Sequence, residues 1–179
     1  MVYLIRHTQP AVPEDVCYGS QDVPLAPSSA EDITNALAVI PTVAAVFTSP
    51  ALRCRQLAES VCARDSALLQ VDARLSELDF GAWEGARWAD LPRAEIDAWA
   101  NDWFGYAPGG GETARQLWDR VAACRAAALA PLSAEPLLVV GHHGSLRALL
   151  AQARNLPIER MLDHRFAYGA AGLTTLERV

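Results

Sequence analysis

The chain has 179 residues, 51% hydrophobic and 20% charged, the composition expected of one globular domain spanning residues 1–179. All 15 basic residues are arginine, which excludes lysine chemistry such as a Schiff base or a Walker lysine. A formal net charge of -6 without basic runs argues against nucleic acid or a membrane surface as partner, and no apolar run approaches the ~20 residues of a membrane span.

In chain order, Val2–Ile5 reads as a buried strand. It lacks the charged flank and cleavage site of a secretory leader, so a cytoplasmic location is expected. Ser28–Ile40 keeps the 3–4 apolar spacing of a helix at Ala30, Ile33, Leu37 and Ile40. Val43–Phe47 reads as a second strand, followed at once by a helix with Ser49 as N-cap and Pro50 at its first position. The stripe Cys54, Leu57, Ala58, Val61, Cys62 makes that helix amphipathic. Leu68–Val71 is a shorter strand, and Pro92–Trp103 a small helix with Ile96 and Trp99 inward. Thr113–Ala130 is a longer helix presenting Leu117, Val121, Cys124 and Ala128 on one face. Leu137–Val140 is another buried strand, Ser145–Arg154 another helix, and Phe166–Val179 contributes a final strand. Alternating strands and helices predict an α/β fold, a three-layer α/β/α sandwich around a mainly parallel central sheet. The cysteines Cys17, Cys54, Cys62 and Cys124 form no CxxC pair and read as reduced, mostly buried thiols.

Polar residues collect at three strand ends. Val2–Ile5 ends in Arg6-His7, Val43–Phe47 in Thr48-Ser49-Pro50 with Arg53 following, and Leu137–Val140 in Gly141-His142-His143-Gly144. In an open parallel sheet, ligands bind beyond the carboxyl ends of the strands, and right-handed crossovers bring these ends to one edge. Arginine forks match phosphate oxygens, and a neutral imidazole can attack phosphorus. Each residue alone is explained by ordinary structure; their coincidence at three strand ends is not. Releasing an alkoxide from a phosphate ester also needs a general acid. The segment Arg74–Gly85 offers Glu77, Asp79 and Glu84, among which periodicity does not choose. The pair His142-His143 has no carboxylate or cysteine at metal-ligand spacing, and Ser145 lacks the G-x-S-x-G setting of a hydrolase nucleophile, so neither a metal nor a cofactor is expected.

Four elements resemble the histidine phosphatase superfamily, whose fold is phosphoglycerate-mutase-like. They are Arg6-His7-Thr8, Thr48-Ser49-Pro50 with Arg53, Leu75-Ser76-Glu77 through Gly85, and His142 with Gly144-Ser145-Leu146-Arg147. The resemblance covers essentially the whole chain. It implies that His7 is the nucleophile, that Arg6, Arg53 and His142 hold the phosphoryl group, and that Glu77 donates a proton. It also implies substrate contacts from Thr8, Tyr18, Gly19, His143 and, as part of a Gly-Gly-Glu-Thr element, Glu112. Thr8, Gln9-Pro10, Pro13-Glu14 and His143 depart from the family pattern. Only about 30 residues separate Glu77 from Gly109, too few for a mutase-type insertion, which favours a compact phosphatase over phosphoryl transfer of the mutase kind. Cys17–Leu25, Asp79–Gly85 and Leu91–Trp99 are similar to the α-ribazole phosphatase branch. The expectation is therefore a metal-independent phosphatase of a small phosphorylated metabolite, foremost α-ribazole 5'-phosphate in cobalamin synthesis. A phosphatase of other small esters is the alternative, a silent phospholigand-binding module a third reading, and a homodimer is compatible with all. Four of five tryptophans fall between Glu77 and Gly109, as a substrate lid or as packing of a small helical unit. Arg87, Trp88 and Arg93 are candidates for selecting the leaving group.

Overall fold

Three apolar runs become strands buried on both faces. A computed structural model describes residues 1–132 and 135–177. Its main elements are β1 (Val2–Arg6), α1 (Ser29–Val39), β2 (Ala45–Thr48), α2 (Leu52–Asp65), β3 (Leu68–Val71), α3 (Arg93–Asn101), α4 (Ala114–Cys124), β4 (Leu137–Gly141), α5 (His143–Ala153) and β5 (Thr174–Leu176). The sheet order is β3-β2-β4-β1-β5, parallel throughout except for β5, which runs antiparallel to β1. Side chains alternate across each strand. Val2, Leu4, Ala45, Phe47, Leu137 and Val139 face α4 and α5. Ile5, Val46, Leu138 and Val140 face α1 and α2. The result is the expected three-layer sandwich, with the carboxyl ends of β1, β2 and β4 side by side at one edge. Among the described residues, no helix is long and apolar enough to cross a membrane. Cys17, Cys54 and Cys124 are buried free thiols, and Cys62 is half-buried.

Several boundaries differ from expectation, each for a local reason. Helix α2 starts at Leu52 behind Ala51, not at Pro50: the Ser49 hydroxyl accepts from the Ala51 amide at 3.3 Å ahead of the helix and also pairs with His142 Nε2 at 2.8 Å. Helix α5 starts at His143, earlier than Ser145, because the His142 amide donates to Ser145 Oγ at 3.1 Å and tightens the turn. The expected helix Thr113–Ala130 opens as predicted, with Thr113 and Gln116 in a reciprocal cap. It then widens into a π turn at Arg125–Leu129, so Leu129 rather than Ala128 enters the core after Leu117, Val121 and Cys124. Helix α3 buries none of its residues fully; Ile96 and Trp99 are half-buried. The final strand is only Thr174–Leu176, preceded by a 3-10 turn at Gly169–Gly172; its expected last residues, 178–179, lie outside the described residues.

Candidate active site

The first cation and the first imidazole come from the end of β1. Arg6 donates through Nη1 to the Phe166 carbonyl at 3.2 Å, and its guanidinium lies 3.7 Å from the centre of the Tyr168 ring. His7 is 2% exposed. Its Nδ1 lies 2.7 Å from the Thr8 carbonyl. A carbonyl only accepts, so Nδ1 carries the hydrogen and Nε2 keeps its lone pair. Burial holds the His7 pKa well below 6.5, and the charges of Arg53 and Arg6 push the same way against the Thr8 hydrogen bond. The imidazole is therefore neutral, the form a nucleophile requires.

The ends of β2 and β4 supply the rest. His142, 1% exposed, meets His7 edge to face with ring centres 5.0 Å apart. Its pKa is also well below 6.5, through burial and then the neighbouring His7, Arg53 and Arg6. Arg53 is 0% exposed. Its Nη1 and Nη2 donate to the carbonyls of Gln21 and Gly19 at 2.9 and 2.6 Å, and Asp22 stands 3.8 Å away. Gly19 has no room for a side chain, since a Cβ would overlap the Leu78 carbonyl. Burial, with Arg147 and Arg6 nearby, lowers His143 to about 3.

Of the three acidic candidates, the structure brings one to the histidines. Glu77 Oε1 accepts from the amides of Leu78 and Gly144, both at 3.0 Å. Asp79 instead accepts from the Gly81 amide. Glu84 ties down the segment that carries Arg53's acceptors: its Oε1 accepts from the Ser20 and Phe80 amides, and its Oε2 from the Gln21 amide at 2.7 Å. Glu112 is bound at 2.6 Å to Arg120, which donates to the carbonyls of Arg74, Ser76 and Glu77. Contrary to the expectation of a substrate contact, Glu112 braces the Glu77 segment from outside the cleft.

The cleft encloses about 400 Å³ and is lined by Arg6, His7, Tyr18, Glu77, His142, His143 and Tyr168, with Trp88 and Glu14 among its outer residues. Thr8, Gly19 and Arg53 lie beneath this lining rather than in it. Arg6 Nε, Thr8 Oγ1, Arg53 Nε and His143 Nε2 are buried without a hydrogen-bond partner. Two fixed positive charges with partnerless donors near a neutral imidazole have the chemistry that suits a phosphoryl dianion. Among the described residues, no group of three or more His, Cys, Asp or Glu side chains could hold a metal ion.

Tyr168 was not singled out from sequence, since no motif surrounds it; it underlies Arg6 and shares a 2.7 Å hydrogen bond with Tyr18. The tryptophans between Glu77 and Gly109 pack largely against one another and Phe80. Trp83 is buried and donates to Glu95, Trp88 and Trp99 stack at 6.2 Å, and Trp88 also reaches the cleft. Arg87 and Arg93 pair with Asp15 and Asp97 on the surface and do not line the cleft.

Residues 2–178 match the description "Histidine phosphatase superfamily (branch 1)". The chain is 29% identical over 174 residues to the adenosylcobalamin/alpha-ribazole phosphatase of Escherichia coli (strain K12), covering 94% of this chain and 86% of that one. Among solved structures it resembles the alpha-ribazole phosphatase from Shigella flexneri, with a TM-score of 0.85, 27% identity and coverage of 94% and 86%. It also resembles Bacillus stearothermophilus YhfR, with a TM-score of 0.81, 26% identity and coverage of 94% and 87%.

Proposed function

The chain belongs to the histidine phosphatase superfamily, and on that premise we propose that it hydrolyses a small phosphate monoester through a phosphohistidine at His7. The observation that carries this reading is the set of partnerless donors around a neutral His7 whose Nδ1 is tied to Thr8. His7 Nε2 attacks phosphorus, the bond from phosphorus to the leaving oxygen breaks, and Glu77 gives that oxygen its proton. Arg6 and Arg53 balance the charge on the transferring group, and the uncharged His142 packs edge to face against His7. Water then attacks the phosphohistidine and yields its proton to the Glu77 carboxylate. The P–N bond breaks, inorganic phosphate leaves, and His7 returns to its neutral state. With two arginines already supplying positive charge, no metal is needed.

The names of the relatives support α-ribazole 5'-phosphate as substrate. Rapid quenching should trap an acid-labile, base-stable phosphoenzyme, and His7→Ala should abolish phosphate release, with wild-type turnover unaffected by a chelator. Full turnover in the His7→Ala protein overturns the reading. In a panel of esters, α-ribazole 5'-phosphate should give the highest kcat/KM.

A further inference from the structure

Tyr18 and Tyr168 lie 150 positions apart in the chain and meet at the wall of the cleft, where their hydroxyls share a 2.7 Å hydrogen bond. Each is joined to one of the site's two arginines, by its ring and through the backbone. The Tyr168 ring lies 3.7 Å from the Arg6 guanidinium, and the Tyr168 backbone bridges that of Arg6. The nearby Phe166 carbonyl accepts from Arg6 Nη1. On the other side, the Arg53 guanidinium stands 5.5 Å from the centre of the Tyr18 ring. Gly19, the next residue, accepts from Arg53 Nη2 at 2.6 Å. Two assemblies result, Arg6 with residues 166–168 and Arg53 with residues 18–21, and the hydroxyl pair is where they touch.

Packing alone would be served by two phenylalanines, so the hydroxyls call for a reason of their own. Rings grip the guanidinium faces and carbonyls take the outer nitrogens, while both Nε groups stay buried without a partner. Burial and the Tyr168 hydroxyl raise the Tyr18 pKa against the pull of Arg6 and Arg53, so the phenol keeps its proton and cancels neither positive charge. In the displacement both arginines must meet the oxygens of one phosphoryl group, so their spacing matters as much as their charge; a shift of about 1 Å costs about a hundredfold in rate. We infer that Tyr18 and Tyr168 are positioning residues, whose paired hydroxyls fix the separation of the Arg6 and Arg53 guanidiniums around the transferring phosphoryl group. The inference rests on the phosphomonoesterase reading above.

The test follows phosphoenzyme formation and nitrophenol release from 4-nitrophenyl phosphate in wild type, Tyr18→Phe, Tyr168→Phe and the double variant. Nitrophenolate leaves without taking a proton, so the rate reports the grip on phosphorus and not Glu77. Each variant keeps its ring, so the melting temperature should stay near wild type. The rate of phosphoenzyme formation and kcat should fall about tenfold, with KM little changed. Either substitution breaks the same bond, so the double variant should be no slower than the singles. Inhibition by vanadate, which takes up the geometry of the transition state, should weaken about tenfold in all three variants, while inhibition by inorganic phosphate should not. Wild-type rates in both single variants, a loss confined to one of them, losses that multiply in the double variant, or equal weakening of vanadate and phosphate overturns the inference and leaves the phosphatase standing. Absence of both phosphoenzyme and nitrophenol release in wild type overturns the phosphatase reading, and this inference with it.

Discussion

Gly144 shows how closely the site is built at the level of single residues. Its amide holds Glu77 Oε1 at 3.0 Å, and a Cβ at this position would overlap that oxygen. Gly144→Ala should therefore displace the Glu77 carboxylate without disturbing the sheet. Kinetics should show kcat/KM falling about a hundredfold, with circular dichroism and melting temperature near wild type. Unchanged kinetics would mean that Glu77 is not held where it acts. Much of this residue-level picture was legible in the sequence, because Arg6, His7, His142 and His143 follow directly on apolar runs. The seclusion of Arg53 was not, since both its acceptors are carbonyls, at Gly19 and Gln21, which any sequence provides. Tyr168 was equally silent, its position set by a fold contact between Arg6 and the segment before β5.

At the level of elements, the segment Gly19–Gln21 acts as a strap across Arg53, and Glu84 is its fastening. The sequence presented Glu84 as one of three candidate acids. Its two oxygens, however, accept from Ser20, Phe80 and Gln21, which leaves it a holding role. Glu84→Ala should loosen the carbonyls that fix the Arg53 guanidinium. The expected readout is a kcat/KM at least about tenfold lower with His7 still phosphorylated in a quench, together with a loss of about 1–3 kcal/mol in stability from unpaired amides. Full kcat/KM in that variant would show that the strap does not position Arg53. The element boundaries that sequence misplaced have the same origin. Ser49 Oγ is shared between the Ala51 amide and His142, two residues before the helix begins, and the π turn inserts one residue that periodicity does not register.

For the whole molecule, the layer order was readable because β1, β2 and β4 are continuous apolar runs, whose side chains point to both faces and so require apolar cover on each. That burial has a consequence for acid stability. His7, His142 and His143 all have folded pKa values below 6.5, His143 at about 3. The unfolded chain binds protons at these residues as pH falls through about 6.5, while the folded protein does not until its lower pKa values are reached. Stability therefore rises with pH across that window and is lost on acidification, by up to about 1.4 kcal/mol per pH unit for each of the buried His7 and His142 and by less for the half-buried, solvent-screened His143. Melting curves from pH 7.5 down to 5 should show a falling midpoint, and His143→Asn should flatten the slope. A midpoint that rises on acidification would contradict the burial of neutral imidazoles.

The antiparallel β5 gives the sheet a temporal order as well as a spatial one. The strand that carries Arg6 and His7 is made before its neighbours, yet it pairs only with β4 and β5, whose residues are synthesised more than 130 positions later. Until then β1 is an unpaired apolar ribbon with no partner of its own, and a nascent chain holds it exposed. Products that terminate before β4 carry His7 without His142 or Tyr168, so on the proposed mechanism a prematurely ended chain should release no phosphate.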